Sequence, residues 1–143
     1  MEKTLEKLVL VRSFAVAPEK VWRAWINADA MRVWFGQAEA PTWRAEWDVR
    51  AGGNYRLVMR DSGGRDYTVQ GVYREVEPNR RLVFTWDQRG SPYDHEALVT
   101  VDLVPAAGGT ELKFTLDPVL DPRAPDAWRG DFKRLGHLLQ NSN

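Results

Sequence analysis

The chain of 143 residues contains no cysteine. Disulfides, thiolate nucleophiles and thiolate metal sites are therefore excluded together, and the fold has to rest on its apolar core. Histidine is nearly as scarce, with only His95 and His137, too few for a set of converging imidazole ligands, so no metal is expected. There is no excess of either charge: 20 basic and 20 acidic side chains cancel. Without a basic stripe or a polybasic run, neither nucleic acid nor a membrane surface is an expected partner. The longest aliphatic run, Leu8 to Val11, is far shorter than a membrane span or a signal segment, and a soluble, cytoplasmic protein is expected. No linker, low-complexity stretch or internal repeat interrupts the chain, so residues 1–143 read as one domain.

Catalytic signatures are also missing. No Ser or Thr stands in an elbow motif, and Asp48, Asp87 and Asp94 are scattered rather than paired for acid/base work. Gly52-Gly53, Gly63-Gly64 and Gly108-Gly109 each join strand to strand, so they read as hairpin turns and not as phosphate loops. No cofactor is expected, and enzymatic activity is unsupported, although a cofactor-free cyclase or hydrolase working in a cavity would leave little trace.

What the chain does have is period-two alternation over most of its length. Leu8 to Phe14 is a strand, stopped at Ala17-Pro18. Pro18 suits the first position of a helix carrying Val21, Trp22 and Trp25, which ends near Asn27. A second short helix follows from Asp29, a plausible cap, to Trp34 before Gly36. From Trp43 the apolar positions recur every second residue: Trp43, Ala45, Trp47 and Val49, then Tyr55, Leu57 and Met59, then Tyr67, Val69, Gly71 and Tyr73. Leu82, Phe84 and Trp86 come next, then Ala97, Val99, Val101 and Leu103, then Leu112, Phe114 and Leu116. The last element is a helix with Trp128, Phe132, Leu135 and Leu139 on one face, spaced by four, three and four. The order is β-αα-β6-α, an α+β fold with a seven-stranded antiparallel meander whose first strand joins at an edge.

Seven strands at about 4.8 Å make a sheet roughly 30 Å across, whereas one helix is about 10 to 12 Å wide. The remaining apolar face has to be buried by curling, by a second copy or by a bound ligand. A curled sheet leaves a gap beneath the helix, and a pocket is expected there. Its expected lining is Trp43, Trp47, Tyr55, Leu57, Met59, Tyr67, Val69, Gly71, Tyr73, Trp86, Val99 and Phe114 from the sheet, facing Trp128, Phe132 and Leu135. His95 shares strand parity with Val99 and is a candidate at the mouth; His137 falls on the solvent side of the last helix. Gly71 either leaves room for a guest or marks a bulge. Tyrosine hydroxyls in a dry interior need a partner that a ligand or water would supply. Gly130 and Gly136 each weaken the last helix by about 1 kcal/mol relative to alanine, so docking of its apolar face must hold it, and it is a candidate gate.

The series Leu10-Val11-Arg12-Ser13-Phe14, Ala17-Pro18, Val21-Trp22-Arg23-Ala24-Trp25, Trp34-Phe35-Gly36, Asp48-Val49-Arg50-Ala51-Gly52-Gly53, Gly71-Val72-Tyr73-Arg74-Glu75-Val76, Arg81-Leu82-Val83-Phe84-Thr85-Trp86 and Gly109-Thr110-Glu111-Leu112 resembles the bacterial domains related to the Hsp90-ATPase activator. These are members of the START-like, or Bet v 1-like (SRPBCC), helix-grip superfamily. The resemblance covers nearly the whole chain. It implies a curved seven-stranded sheet gripping a carboxy-terminal helix over a hydrophobic cavity, in a superfamily of lipid carriers, hormone receptors, cyclases and resistance proteins. Two departures stand out. No counterpart of the co-chaperone's separate amino-terminal domain is expected, and Ala127-Trp128 stands where the family often has Gly-Trp at the start of the last helix.

The expected function is accordingly the binding of an apolar, aromatic or polycyclic, small molecule by a monomer or homodimer. Burial of ring surface, at roughly 25 cal/mol per Å², would drive it. The alternatives are a cofactor-independent cyclase or hydrolase in the same cavity, and a co-chaperone-like or stress-response interaction protein, which would have a filled core.

Overall fold

The computed structural model describes residues 6–37, 40–60, 63–89, 96–119, 121–122 and 124–140. Strand β1 (Glu6–Phe14) leads into helix α1 (Pro18–Ile26) and helix α2 (Ala28–Trp34). Seven further strands follow: β2 (Gly36–Gln37), β3 (Ala40–Trp47), β4 (Asn54–Arg60), β5 (Asp66–Glu77), β6 (Arg81–Arg89), β7 (Glu96–Ala106) and β8 (Gly109–Val119). Helix α3 (Ala124–Gln140) ends the fold. The seven long strands are those the alternation implies. The two-residue β2 is an addition, too short to carry a periodic signal.

The sheet is antiparallel with order β1-β8-β7-β6-β5-β4-β3-β2, so β1 does sit at an edge and the remaining strands run as a meander. The alternation is in register across strands: Leu8 pairs with Leu116, Leu116 with Val99, Val99 with Phe84 and Phe84 with Tyr73, giving one apolar row across five strands. The turn role of the glycine doublets is confirmed by positive φ at Gly52, Gly64 and Gly108.

Laid flat, eight strands at about 4.8 Å would span roughly 34 Å, three times a helix width. Yet the backbone of α3 comes close to both β1 and β2, the opposite edges of the sheet. Only a sheet curled around the helix allows that, and this is the helix-grip arrangement. Helices α1 and α2 lie on the same side and pack on α3 as well. They cover part of the face that sequence reasoning left to a ligand or a second copy, because their short length hid how much ring surface they carry.

Local chemistry explains the two short helices. Pro18 opens α1, and Val21, Trp22, Ala24 and Trp25 form its buried face. The cap of α2 is Asn27, whose side-chain oxygen accepts the Ala30 N–H at 3.0 Å, and not Asp29. The last carbonyls of a helix have no partner within it. Here the Trp34 indole donates to Ala24 O and the Trp47 indole to Ile26 O, both at 2.8 Å. The Arg134 guanidinium on α3 donates through Nε to Trp34 O at 3.1 Å, a cation at the carboxy-terminal end of α2. These three bonds fix the helices to one another and to β3. Among the described residues no helix is long and apolar enough to cross a membrane.

Candidate functional site

The concave face of the sheet and the inner faces of the helices meet in a network of ten aromatic rings. Trp128 of α3 is its hub. Its ring centroid lies 4.4 Å from Phe114, 5.2 Å from Trp86, 5.4 Å from Phe35, 5.8 Å from Phe132 and 6.4 Å from Trp25, the last nearly parallel at 12°. Trp25 is the second hub, with Trp34 edge-on at 4.8 Å, Phe132 at 6.2 Å and Phe84 at 6.4 Å. Through Phe84 the network extends to Tyr55 and Tyr73, which are 5.6 Å apart. All ten rings are buried, and each pair adds about 0.5 to 1.5 kcal/mol beyond its area burial.

Of the residues expected to line a pocket, Tyr55, Tyr73, Trp86, Phe114, Trp128 and Phe132 belong to this network. Leu57, Val69, Val99 and Leu135 are buried in the same core, and Trp47 and Met59 pack against it half-buried. The side chains of Trp43 and Tyr67 lie outside those described, and so does His95 altogether. His137 is exposed. Sequence reasoning left Trp25, Trp34 and Phe35 out of the interior set. The helical spacing of Val21, Trp22 and Trp25, and the Trp34-Phe35 pair before Gly36, were the signals that they face inward.

Gly71 has a definite structural role. A Cβ built there would lie 2.1 Å from Thr85 O and 2.6 Å from Thr85 Oγ1. The space beside Gly71 is thus taken by the neighbouring strand's backbone, next to a break in the β5–β6 register between Tyr73 and Glu75. The displaced Thr85 groups are used locally. Its carbonyl accepts the Tyr55 hydroxyl at 2.5 Å, and its Oγ1 accepts the Val72 N–H at 2.8 Å. One tyrosine hydroxyl therefore finds its partner in the protein itself. Burial pushes the Tyr55 phenol well above its ordinary range, helped by Tyr73 and Asp87, and burial does the same to Tyr73. Both stay neutral hydrogen-bonding groups at any physiological pH.

The polar group with no partner is a different one. Trp25 is 3% exposed, and its indole N–H finds no acceptor among the described residues. Beside the network, Asp131 is buried and forms an ion pair with Arg134 one turn on along α3. A groove of about 590 Å³ lies elsewhere, between Ala17-Pro18-Glu19, Asn79-Arg80 and Leu103-Val104-Pro105. It shares no residue with the rings.

Comparison with known proteins agrees with this architecture. A family described as Activator of Hsp90 ATPase homolog 1-like protein matches residues 15–139. The mouse protein named activator of 90 kDa heat shock protein ATPase homolog 2 is 40% identical over 62 residues, 41% of this chain and 19% of its own. The human homolog 1 is 24% identical over 106 residues, 74% of this chain and 28% of its own. The matched part of the chain thus spans 19% and 28% of the length of these curated relatives. A crystal structure of a protein from Rhodobacter sphaeroides superposes with a TM-score of 0.87 at 24% identity, covering 100% of this chain and 98% of that one.

Proposed function

The chain belongs to the family of Activator of Hsp90 ATPase homolog 1-like proteins, and from that membership we propose that it binds an apolar, aromatic or polycyclic, small molecule between the concave sheet and α3. The observation that carries this reading is the ring network. Aromatic side chains from α1, α2, the α2–β2 junction, the sheet and α3 converge on Trp25 and Trp128. Flat guests stack on such surfaces with gains of about 0.5 to 1.5 kcal/mol per ring pair in addition to burial. Admission requires Trp128 and Phe132 to move with α3. Trp47, Leu57, Met59, Val69, Val99 and Leu135 complete the lining in this reading.

Four tryptophans, Trp25, Trp34, Trp86 and Trp128, stand in the network, so intrinsic fluorescence is a direct assay. Titration with three-ring aromatic hydrocarbons is expected to quench emission saturably, and native mass spectrometry of freshly purified protein is expected to show a co-purified small molecule. Emission that is unchanged by every aromatic compound, with no adduct mass, would refute the proposal. Conversion of a bound compound into product would move the protein to the cyclase or hydrolase alternative.

A second reading is favoured by the closeness of the ring contacts: a filled interior is what an interaction protein of the co-chaperone type would have. Its support also includes the names of the mouse and human relatives. Stimulation of purified Hsp90 ATPase activity by this chain, without any aromatic-dependent quenching, would establish it in place of the first.

A further inference from the structure

We propose that the Trp25 indole N–H is the orienting donor of this site, and that the ligand presents to it a carbonyl or other acceptor oxygen on an aromatic framework. The inference rests on the small-molecule reading above. A buried donor without an acceptor destabilises a fold by about 1 to 3 kcal/mol, and native proteins rarely keep one. Two other indoles show the usual arrangement: Trp34 and Trp47 each donate to a helix-end carbonyl at 2.8 Å. Trp25 is as deeply buried as Trp34's neighbours in the network, lies nearly parallel to Trp128, and has no acceptor among the described residues. The face of a neighbouring ring is a weak acceptor at best, so an oxygen brought into the site accepts the hydrogen bond in its place. Trp25 also joins the two parts of the network, touching Trp34, Phe84, Trp128 and Phe132. A single directional bond there would set how a flat guest lies among otherwise featureless rings, as one well-placed polar group does in an apolar pocket.

The chemistry is separable from hydrophobic burial by a closely matched pair, fluorene and 9-fluorenone, in which the ring methylene of the first is a carbonyl in the second. In an apolar site without a donor, fluorenone loses its water hydrogen bond and binds more weakly than fluorene. With Trp25 donating, fluorenone is expected to bind roughly five- to tenfold more tightly. The preference is expected to disappear in Trp25→Phe, which keeps a ring but no donor. In the wild-type protein, proton–nitrogen correlation spectra are expected to show the Trp25 indole N–H moving downfield with fluorenone and not with fluorene. Equal or reversed affinities in the wild type, or a preference that persists in Trp25→Phe, would overturn the donor role while leaving the small-molecule reading intact. Failure of both compounds to bind would overturn that reading and this inference with it. Because the wild-type affinity ratio and spectra need no variant, the outcome does not depend on Trp25→Phe folding.

Discussion

Gly71→Ala should be among the most damaging single-methyl additions to this protein. The added Cβ would sit 2.1 Å from Thr85 O and 2.6 Å from Thr85 Oγ1, so β5 and β6 must separate locally by about 1.5 Å to reach ordinary contact distance. Two hydrogen bonds depend on that approach, Tyr55 Oη–H to Thr85 O and Val72 N–H to Thr85 Oγ1. Each is worth about 1 kcal/mol net, and a buried group left unsatisfied adds about 1 to 3 kcal/mol. The expected loss is roughly 3 to 5 kcal/mol, a large part of the 5 to 15 kcal/mol typical of a domain. Urea unfolding should register it as a midpoint lowered by about 2 M. Tyr55→Phe removes one of the two bonds in advance, so Gly71→Ala should cost about 1 kcal/mol less in that background. A loss below about 1 kcal/mol, or strictly additive variants, would show that the glycine is not there to admit the Thr85 carbonyl.

The glycines of α3 should behave in the opposite way. A Cβ on Gly136 would make an ordinary contact with Phe14 at 3.7 Å, so Gly136→Ala is expected to gain about 1 kcal/mol and raise Tm by about 3 °C in a calorimetric scan. Arg134→Met removes the donor to Trp34 O and the ion-pair partner of buried Asp131, and a loss of roughly 2 kcal/mol is expected in urea unfolding, largely recovered when Asp131→Asn is added. Alkaline stability follows from Tyr55 and Tyr73, whose phenol pKa values are raised in the folded state. Stability is then full below the unfolded-state value of about 10 and falls as pH rises above it, because the unfolded chain releases protons that the folded one retains. With both phenols contributing, the slope approaches about 2.7 kcal/mol per pH unit. Unfolding curves from pH 9 to 11 should show it, and Tyr55→Phe should halve it.

The inward set of the sheet was legible in the sequence because a strand turns its side chains over every second residue, and no tertiary event alters that parity within an unbroken strand. Tyr55, Leu57, Val69, Tyr73, Trp86, Val99 and Phe114 are interior for that reason, and Trp128, Phe132 and Leu135 for the corresponding helical one. The rest was not legible because it depends on distances between elements. A nine-residue and a seven-residue helix carry too few turns to show which face looks at what, so Trp25, Trp34 and Phe35 could not be placed. Gly71 was open between a bulge and a space, since only the approach of Thr85 from the next strand decides it.

The sequence by itself determined the order of elements, the edge position of β1 and the face each strand buries, all of which follow from local periodicity and short connections. The tertiary structure alone decided that rings from α1 and α2 enter the space beneath α3, that Tyr55 is satisfied by a backbone carbonyl, and that the Trp25 indole N–H has no acceptor among the described residues. Those facts depend on how far the sheet curls before its edges meet the last helix, and curvature is a sum of small twists over all the strands at once.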